Sequence, residues 1–199
     1  KKGKLLQELT AQEAEQALHA LKDPTSDVSY YLPCAIKACR QGVARAHLIS
    51  RHVDGAIVQE LFTREGVGTM ITKDPVEQLR QATIDDAGGI LALIEPLETE
   101  GILVRRSREL LEMEIDRFYV LDYDGIIIGC AALYPFPEEK VGELACLAVH
   151  ADYRDAGRGA SLLERMEEVA AKKKLKRLFV LTTRTAHWFV EHGFAETGV

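Results

Sequence analysis

The sequence predicts an α/β chain with α+β character, built in two parts, and three observations carry that reading. Helix-like and strand-like runs alternate up to residue 72, a polar stretch ending at Pro75 breaks the pattern, and the remainder spells the order βααβββαβα. Residues 1–72 are accordingly read as one piece, 73–80 as a linker and 81–199 as a second domain.

In the first piece, Thr10 followed by Glu13 has the spacing of a capping box and starts a helix. YLPCAIKACRQG is a second helix with Gly42 as its stop, ARAHLIS a short strand, and AIVQELF a helix after the Asp54-Gly55 turn. TREGVGTMI places two glycines before a last short strand. So few strands cannot complete a sheet covered on both faces, so this piece is expected to be the end of a larger domain. In the second, EQLRQATIDDAGGILALIEPLE gives strand, turn and helix, and SRELLEMEIDRF a helix capped by Ser107. Asp124-Gly125 between β-rich runs marks a hairpin, and GELACLAVH is a further strand. A loop and a long amphipathic helix, DYRDAGRGASLLERMEEVAAKKK, then lead to the strand RLFVLTT and the helix AHWFVEHGF.

A net charge of −6 disfavours nucleic acid, whose phosphates are held by surplus Lys and Arg. No run approaches the roughly 20 apolar residues of a membrane span, and KKGKLLQELT lacks the apolar stretch of a signal peptide, so a cytoplasmic protein is expected. Cys34, Cys39, Cys130 and Cys146 have no zinc-like spacing, and neither do His150, His187 and His192; no metal is expected. Cys130 and Cys146 lie in apolar runs, where a thiol serves as a small hydrophobe. The basic run from Lys172 to Arg177 suits a solvated helix end.

Arg154, Gly157 and Gly159 form R-x-x-G-x-G directly after a strand and at the opening of a helix. A diphosphate needs several inward-pointing N–H groups, which glycine lets the backbone bring close and which a helix start leaves unpaired. The Rossmann and P-loop patterns are both absent. Together with GELACLAVH before it and the F-x-x-x-G-F of AHWFVEHGF after it, the loop resembles the signature of the GCN5-related N-acetyltransferase superfamily, over residues 76–199. That resemblance implies a mixed, mostly antiparallel sheet with flanking helices and acetyl-CoA as co-substrate. It assigns pantetheine and thioester to Leu147, Ala148 and Val149, and the pyrophosphate to Asp155, Ala156, Gly157, Arg158, Gly159 and Ala160.

GILVRRSRELLEMEIDRFYV, CAALYPFPEEKVGELACLAVH and LFVLTTRTAHWFVEHGF resemble the bacterial N-acetylglutamate synthases, and the first piece resembles the end of an amino-acid kinase domain. Those synthases join the two domains and move an acetyl group to the α-amine of L-glutamate, at the start of arginine synthesis. The resemblance implies arginine as an inhibitory effector and a ring-like homo-oligomer. It also implies that both ends of the chain are cut, with phosphate-gripping loops before Lys1 and one more strand after Val199.

Glutamate carries two carboxylates, which guanidinium groups bind in bidentate fashion. Arg106 and Arg184 are the expected ligands among the cluster Arg105, Arg106, Arg108 and Arg184, and Cys146 joins the acceptor set. The α-amine, of pKa about 8, must lose a proton before attack. Glu143, four residues before Leu147 and therefore expected on the same strand face, is the candidate base, direct or through water. Trp188 and Phe189 stand where many family members place a tyrosine, so Thr182 or Thr183 is the candidate donor to the leaving thiolate, with the resemblance pointing to Thr182. In the first piece, Glu60, Gly66 and Gly68 are candidate arginine ligands. Two rivals remain: the same fold acting on another amine or a protein terminus, and an inactive arginine-binding module.

Overall fold

The computed structural model describes residues 5–21, 23–63, 66–154, 156–182 and 184–197. The chain divides into two compact units, Lys1–Val76 and Glu77–Val199.

Unit 1 holds strand β1 (Glu8–Thr10), helices α1 (Ala11–Ala20) and α2 (Asp27–Arg40), β2 (Arg45–Leu48), α3 (Ala56–Phe62) and β3 (Thr69–Thr72). The capping box is formed: Thr10 Oγ1 accepts from the Glu13 N–H, and a Glu13 carboxylate oxygen accepts from the Thr10 N–H at 2.8 Å. Ser26 caps α2, and Gly42 follows that helix at φ 105°, where a side chain would be strained. The sheet runs β1-β3-β2, with β1 parallel and β2 antiparallel to β3. Ala11, Ala14, Leu32, Ala35, Ile36, Cys39 and Ile71 form its core.

Unit 2 follows the expected order: β4 (Glu77–Gln81), α4 (Ala87–Thr99), α5 (Arg108–Met113), β5 (Phe118–Tyr123), β6 (Ile126–Phe136), β7 (Val141–Val149), α6 (Arg158–Lys172), β8 (Arg177–Phe179) and α7 (Ala186–Glu191). Its sheet runs β4-β5-β6-β7-β8, antiparallel except for the parallel β7–β8 pair. Asp124 and Gly125, both at positive φ, make the two-residue turn between β5 and β6. One core, on the α4 side, joins Ile90, Ile94, Phe118, Val120, Cys130, Cys146 and Ala148. The other, on the α6 side, joins Leu121, Ile128, Leu133, Leu144, Leu162 and Met166.

EQLRQATI was read as the opening strand of the second part, and the linker bound at residue 80 overlaps it: residues 77–80 belong to β4. Leu79 is the single apolar residue of EQLRQ, so the segment looks polar; pairing with β5 over Glu77↔Tyr123 to Gln81↔Tyr119 makes it a strand. Arg80 fixes that pairing. Its guanidinium donates to both Asp86 oxygens at 2.7 and 2.8 Å and to Asp122 at 2.8 Å, joining β4, β5 and the entrance to α4. Asp86 also accepts from the Thr83 N–H, and Arg80 holds its carboxyl down at about 2.

Candidate active site

The site begins where the sheet opens. β7 pairs with β8 only from Val141↔Arg177 to Glu143↔Phe179, while β7 itself runs on to Val149. Among the described residues no strand therefore pairs with the β8-facing edge of β7 beyond Glu143, and backbone polar groups there are available to a ligand.

A β-bulge on β7 decides which side chains face which way. Pairing with β6 passes from Ala132↔Ala145 to Cys130↔Ala148, so β7 uses one residue more than its partner, and Cys146 takes φ 54°. Leu144 packs in the α6-side core, whereas Cys146 and Ala148 pack on the α4 side. The bulge thus reverses the strand's alternation. Glu143, paired with Tyr134, shares the α4 face with Cys146, whereas Leu147 packs on the α6 side. The expectation that Glu143 and Leu147 share a face is corrected: a two-residue period does not survive an inserted residue.

Next to the free edge lies a cleft of about 400 Å³ lined by Leu147, Ala148, Val149, Arg154, Gly157, Arg158, Gly159, Ala160, Thr185, Trp188, Phe189 and His192. Gly157 caps α6 at φ 74°, and the first turn of this fifteen-residue helix leaves unpaired N–H groups at the cleft. A Cβ on Gly159 would stand 3.3 Å from Trp188 Cζ2, so the bare glycine lets the indole close the cleft. The His192 ring stacks on Trp188 at 4.0 Å, and its Nδ1 lies 2.8 Å from the Trp188 carbonyl oxygen. Ala156 is exposed at the loop, and Asp155, like Thr183, lies outside the described residues. A phosphate-bearing, partly apolar chain fits this combination of helix start, free strand edge and aromatic wall.

Arg158 lines the cleft, but its guanidinium is already engaged. It binds Glu77 Oε2 through Nε and Nη2 at 2.9 and 2.7 Å, and donates from Nη1 to the Tyr153 carbonyl at 3.1 Å. Its positive charge therefore anchors the loop to the first residue of β4, leaving its backbone to face a ligand. Arg154 is exposed and donates to the Val149 carbonyl at 3.3 Å.

On the α4 face, Arg106 is half-buried near Cys146, Tyr134 and Glu98. Burial alone would lower its pKa, but those neighbours raise it, so it remains a cation beside a buried thiol. Its backbone N–H donates to Glu98 at 2.9 Å. Cys130 donates to the Cys146 carbonyl at 3.4 Å, and the Cys146 sulfur and burial push the Cys130 thiol well up. Glu143 and Cys146 thus share one strand face and Arg106 lies near Cys146, while Arg184 is exposed in the loop before α7. Thr182 lines a separate cleft of about 990 Å³ beside β8 and α7; its Oγ1 lies 2.7 Å from Thr185 Oγ1 and accepts the Thr185 N–H. Thr185, Trp188 and His192 were missed as cleft residues. The i, i+4 spacing of Trp188, on α7, and His192, which caps that helix, was a usable signal.

Residues 88–194, more than half of the chain, match the family model described as "Acetyltransferase (GNAT) family". The chain belongs to the GNAT family. The amino-acid acetyltransferase of Serratia proteamaculans is 55% identical over 99% of the chain, which spans 45% of that relative. Among solved structures, the N-acetylglutamate synthase of Neisseria gonorrhoeae complexed with coenzyme A and L-arginine is 41% identical with a TM-score of 0.87, covering 98% of this chain and 45% of that one. The same enzyme complexed with coenzyme A and N-acetyl-glutamate is 42% identical with a TM-score of 0.60, over 99% and 46%. In this GNAT chain the R-x-x-G-x-G loop, the bulged β7 and its early departure from β8 are the parts that build the cleft.

In unit 1, the Glu60 carboxylate, only 6% exposed, is enclosed by its own loop. Oε2 accepts from the Val67 and Gly68 N–H groups at 2.7 and 2.8 Å, and Oε1 lies 2.6 Å from His47 Nδ1. Burial raises its pKa, but His47 and the two N–H groups outweigh that and the carboxyl is lowered. A Cβ on Gly66 would meet Glu60 at 2.6 Å, and one on Gly68 would meet the Leu48 carbonyl at 2.6 Å. The three predicted residues are together, with the carboxylate already fully occupied by this chain.

Proposed function

We propose that the full-length protein transfers the acetyl group of acetyl-CoA to the α-amine of L-glutamate. The observation that carries this reading is the divided β7: a cleft for a phosphate-bearing chain at one end, and across the bulge Glu143 on the face beneath α4, where Arg106 lies near Cys146. The relatives' complexes with coenzyme A, and with N-acetyl-glutamate in one of them, support the same acceptor.

In this mechanism the cleft holds the coenzyme by its pyrophosphate at the α6 N-terminus and by its pantetheine along the free β7 edge. Arg106 takes a carboxylate of glutamate as a bidentate partner. Glu143, directly or through water, removes the proton from the ammonium group, and the neutral amine attacks the thioester carbonyl. Backbone N–H donors around Leu147 stabilise the oxyanion, and the tetrahedral intermediate expels the thiolate, which takes up a proton. Thr182 and Arg184 retain the proposed donor and second carboxylate-binding roles.

Coenzyme A release, measured with glutamate, other amino acids and peptides, tests the reading. Glutamate alone should support turnover, and a protein N-terminus used in its place would overturn the assignment. Arginine is the proposed effector of unit 1, on the gathering of Glu60, Gly66 and Gly68. Its guanidinium would have to displace a bond that Glu60 now makes.

A further inference from the structure

The end of α7 leaves one carbonyl to a side chain. The His192 N–H closes on the Phe189 carbonyl at 3.0 Å, three residues back, and so does not take the Trp188 carbonyl four residues back. The His192 ring takes it instead, with Nδ1 at 2.8 Å from the oxygen. A carbonyl oxygen only accepts, so Nδ1 carries the proton, and the imidazole is tied to the backbone of the residue on which it stacks. That stack is close and nearly parallel, with the Trp188 and His192 ring centroids 4.0 Å apart and 26° between their planes.

Trp188 is thereby met on three sides. His192 covers a face of the indole, the Phe189 ring meets it edge-on at 5.0 Å, and its Cζ2 edge stands over Gly159, where a Cβ would lie 3.3 Å away. Phe189 belongs to the α6-side core and Gly159 to the first turn of α6, so both are set by the packing of the domain. The imidazole is set by its own hydrogen bond. We propose that His192 is a positioning residue for coenzyme binding: clamped to the Trp188 carbonyl, its ring holds the indole against the first turn of α6 as a wall of the cleft. Without the imidazole the half-buried indole is free to turn about its two side-chain torsions, and the wall opens. The inference rests on the reading of this cleft as the coenzyme's.

Steady-state kinetics of the full-length protein, with acetyl-CoA and glutamate varied in turn, test it. His192→Ala removes both ring and donor. KM for acetyl-CoA should rise about tenfold, the upper end of what one stacked aromatic pair contributes, with glutamate KM and kcat at saturation held within about twofold. His192→Phe keeps the stack without the donor and should stay within about threefold of the unsubstituted protein. His192→Asn, which keeps an amide N–H for the Trp188 carbonyl but has no ring, should behave as the alanine variant does. In a Trp188→Ala background, His192→Ala should add nothing. Unchanged KM for acetyl-CoA in His192→Ala overturns the inference, as does an asparagine variant that outperforms the phenylalanine one, or full additivity with Trp188→Ala. A parallel rise in glutamate KM and fall in kcat would show a general loosening of α7 and overturn it too. If His192→Ala fails to fold, the Phe and Asn variants decide by the same criteria. Unchanged KM for acetyl-CoA in Trp188→Ala alone would instead sink the assignment of the cleft to the coenzyme.

Discussion

At Glu143 the proposed chemistry rests on one carboxylate, on a face defined by the bulge. Glu143→Gln keeps the shape and removes the base, so kcat should fall roughly 100-fold or more. The residual rate should keep climbing with pH to well above 8, because the ammonium of a free amino acid, beside its own carboxylate, gives up its proton later than a peptide α-amine does. An unchanged turnover and pH profile would remove Glu143 from this role. Gly159 sits under the Trp188 indole with no room for a branched side chain. Gly159→Val should raise KM for acetyl-CoA severalfold while KM for glutamate holds, and equal effects on both would point to a general loss of fold. Gly159 was legible in the sequence as a cleft residue because it lies within the motif that implicates it. The bulge was not: an inserted residue is defined only against the partner strand, so the side-chain phase of GELACLAVH could not be read from GELACLAVH alone. Arg158 looked like a phosphate ligand for the same reason, since its partner Glu77 is 81 residues away.

Helices and tight turns were the most legible elements. The Thr10 capping box, the Ser107 cap and the Asp124-Gly125 hairpin are local devices, written in adjacent residues, whereas the start of α2 at Ser26 was not read. The strand at EQLRQ was read, but its first residues were also assigned to the linker, because Arg80 and β5 hold β4 rather than its own composition. Asp86 is 3.8 in its ordinary state and about 2 beside Arg80. A carboxylate depressed in this way stabilises the fold above its ordinary pKa and gives that stability up as pH falls through the folded value, here between about 4 and 2. Asp86→Asn should cost roughly 2 kcal/mol at neutral pH and flatten the acid limb in that window, as read by urea unfolding at a series of pH values. A variant with an unaltered acid limb would show that the network contributes nothing there.

For the whole molecule, the chain carries two compact units with separate cores, and the polar stretch ending at Pro75 lies at their border. The sequence identified the GNAT loop and fold, while the enclosure of Glu60 by its own loop needed the structure. Calorimetry on the full-length protein should detect arginine binding, weakened about tenfold or more by Glu60→Gln. Heat of binding indistinguishable between the two proteins would place the effector elsewhere.

The Glu77–Arg158 pair bears on how this protein can be handled in the laboratory. An expression boundary drawn at residue 81, where the sequence suggests the domain starts, would delete an edge strand and untie a loop near the opposite end of the primary sequence. A fragment beginning before Glu77 keeps the tether. Two excised versions differing by only five residues should therefore differ in their affinity for coenzyme A far more than in their helix content by circular dichroism.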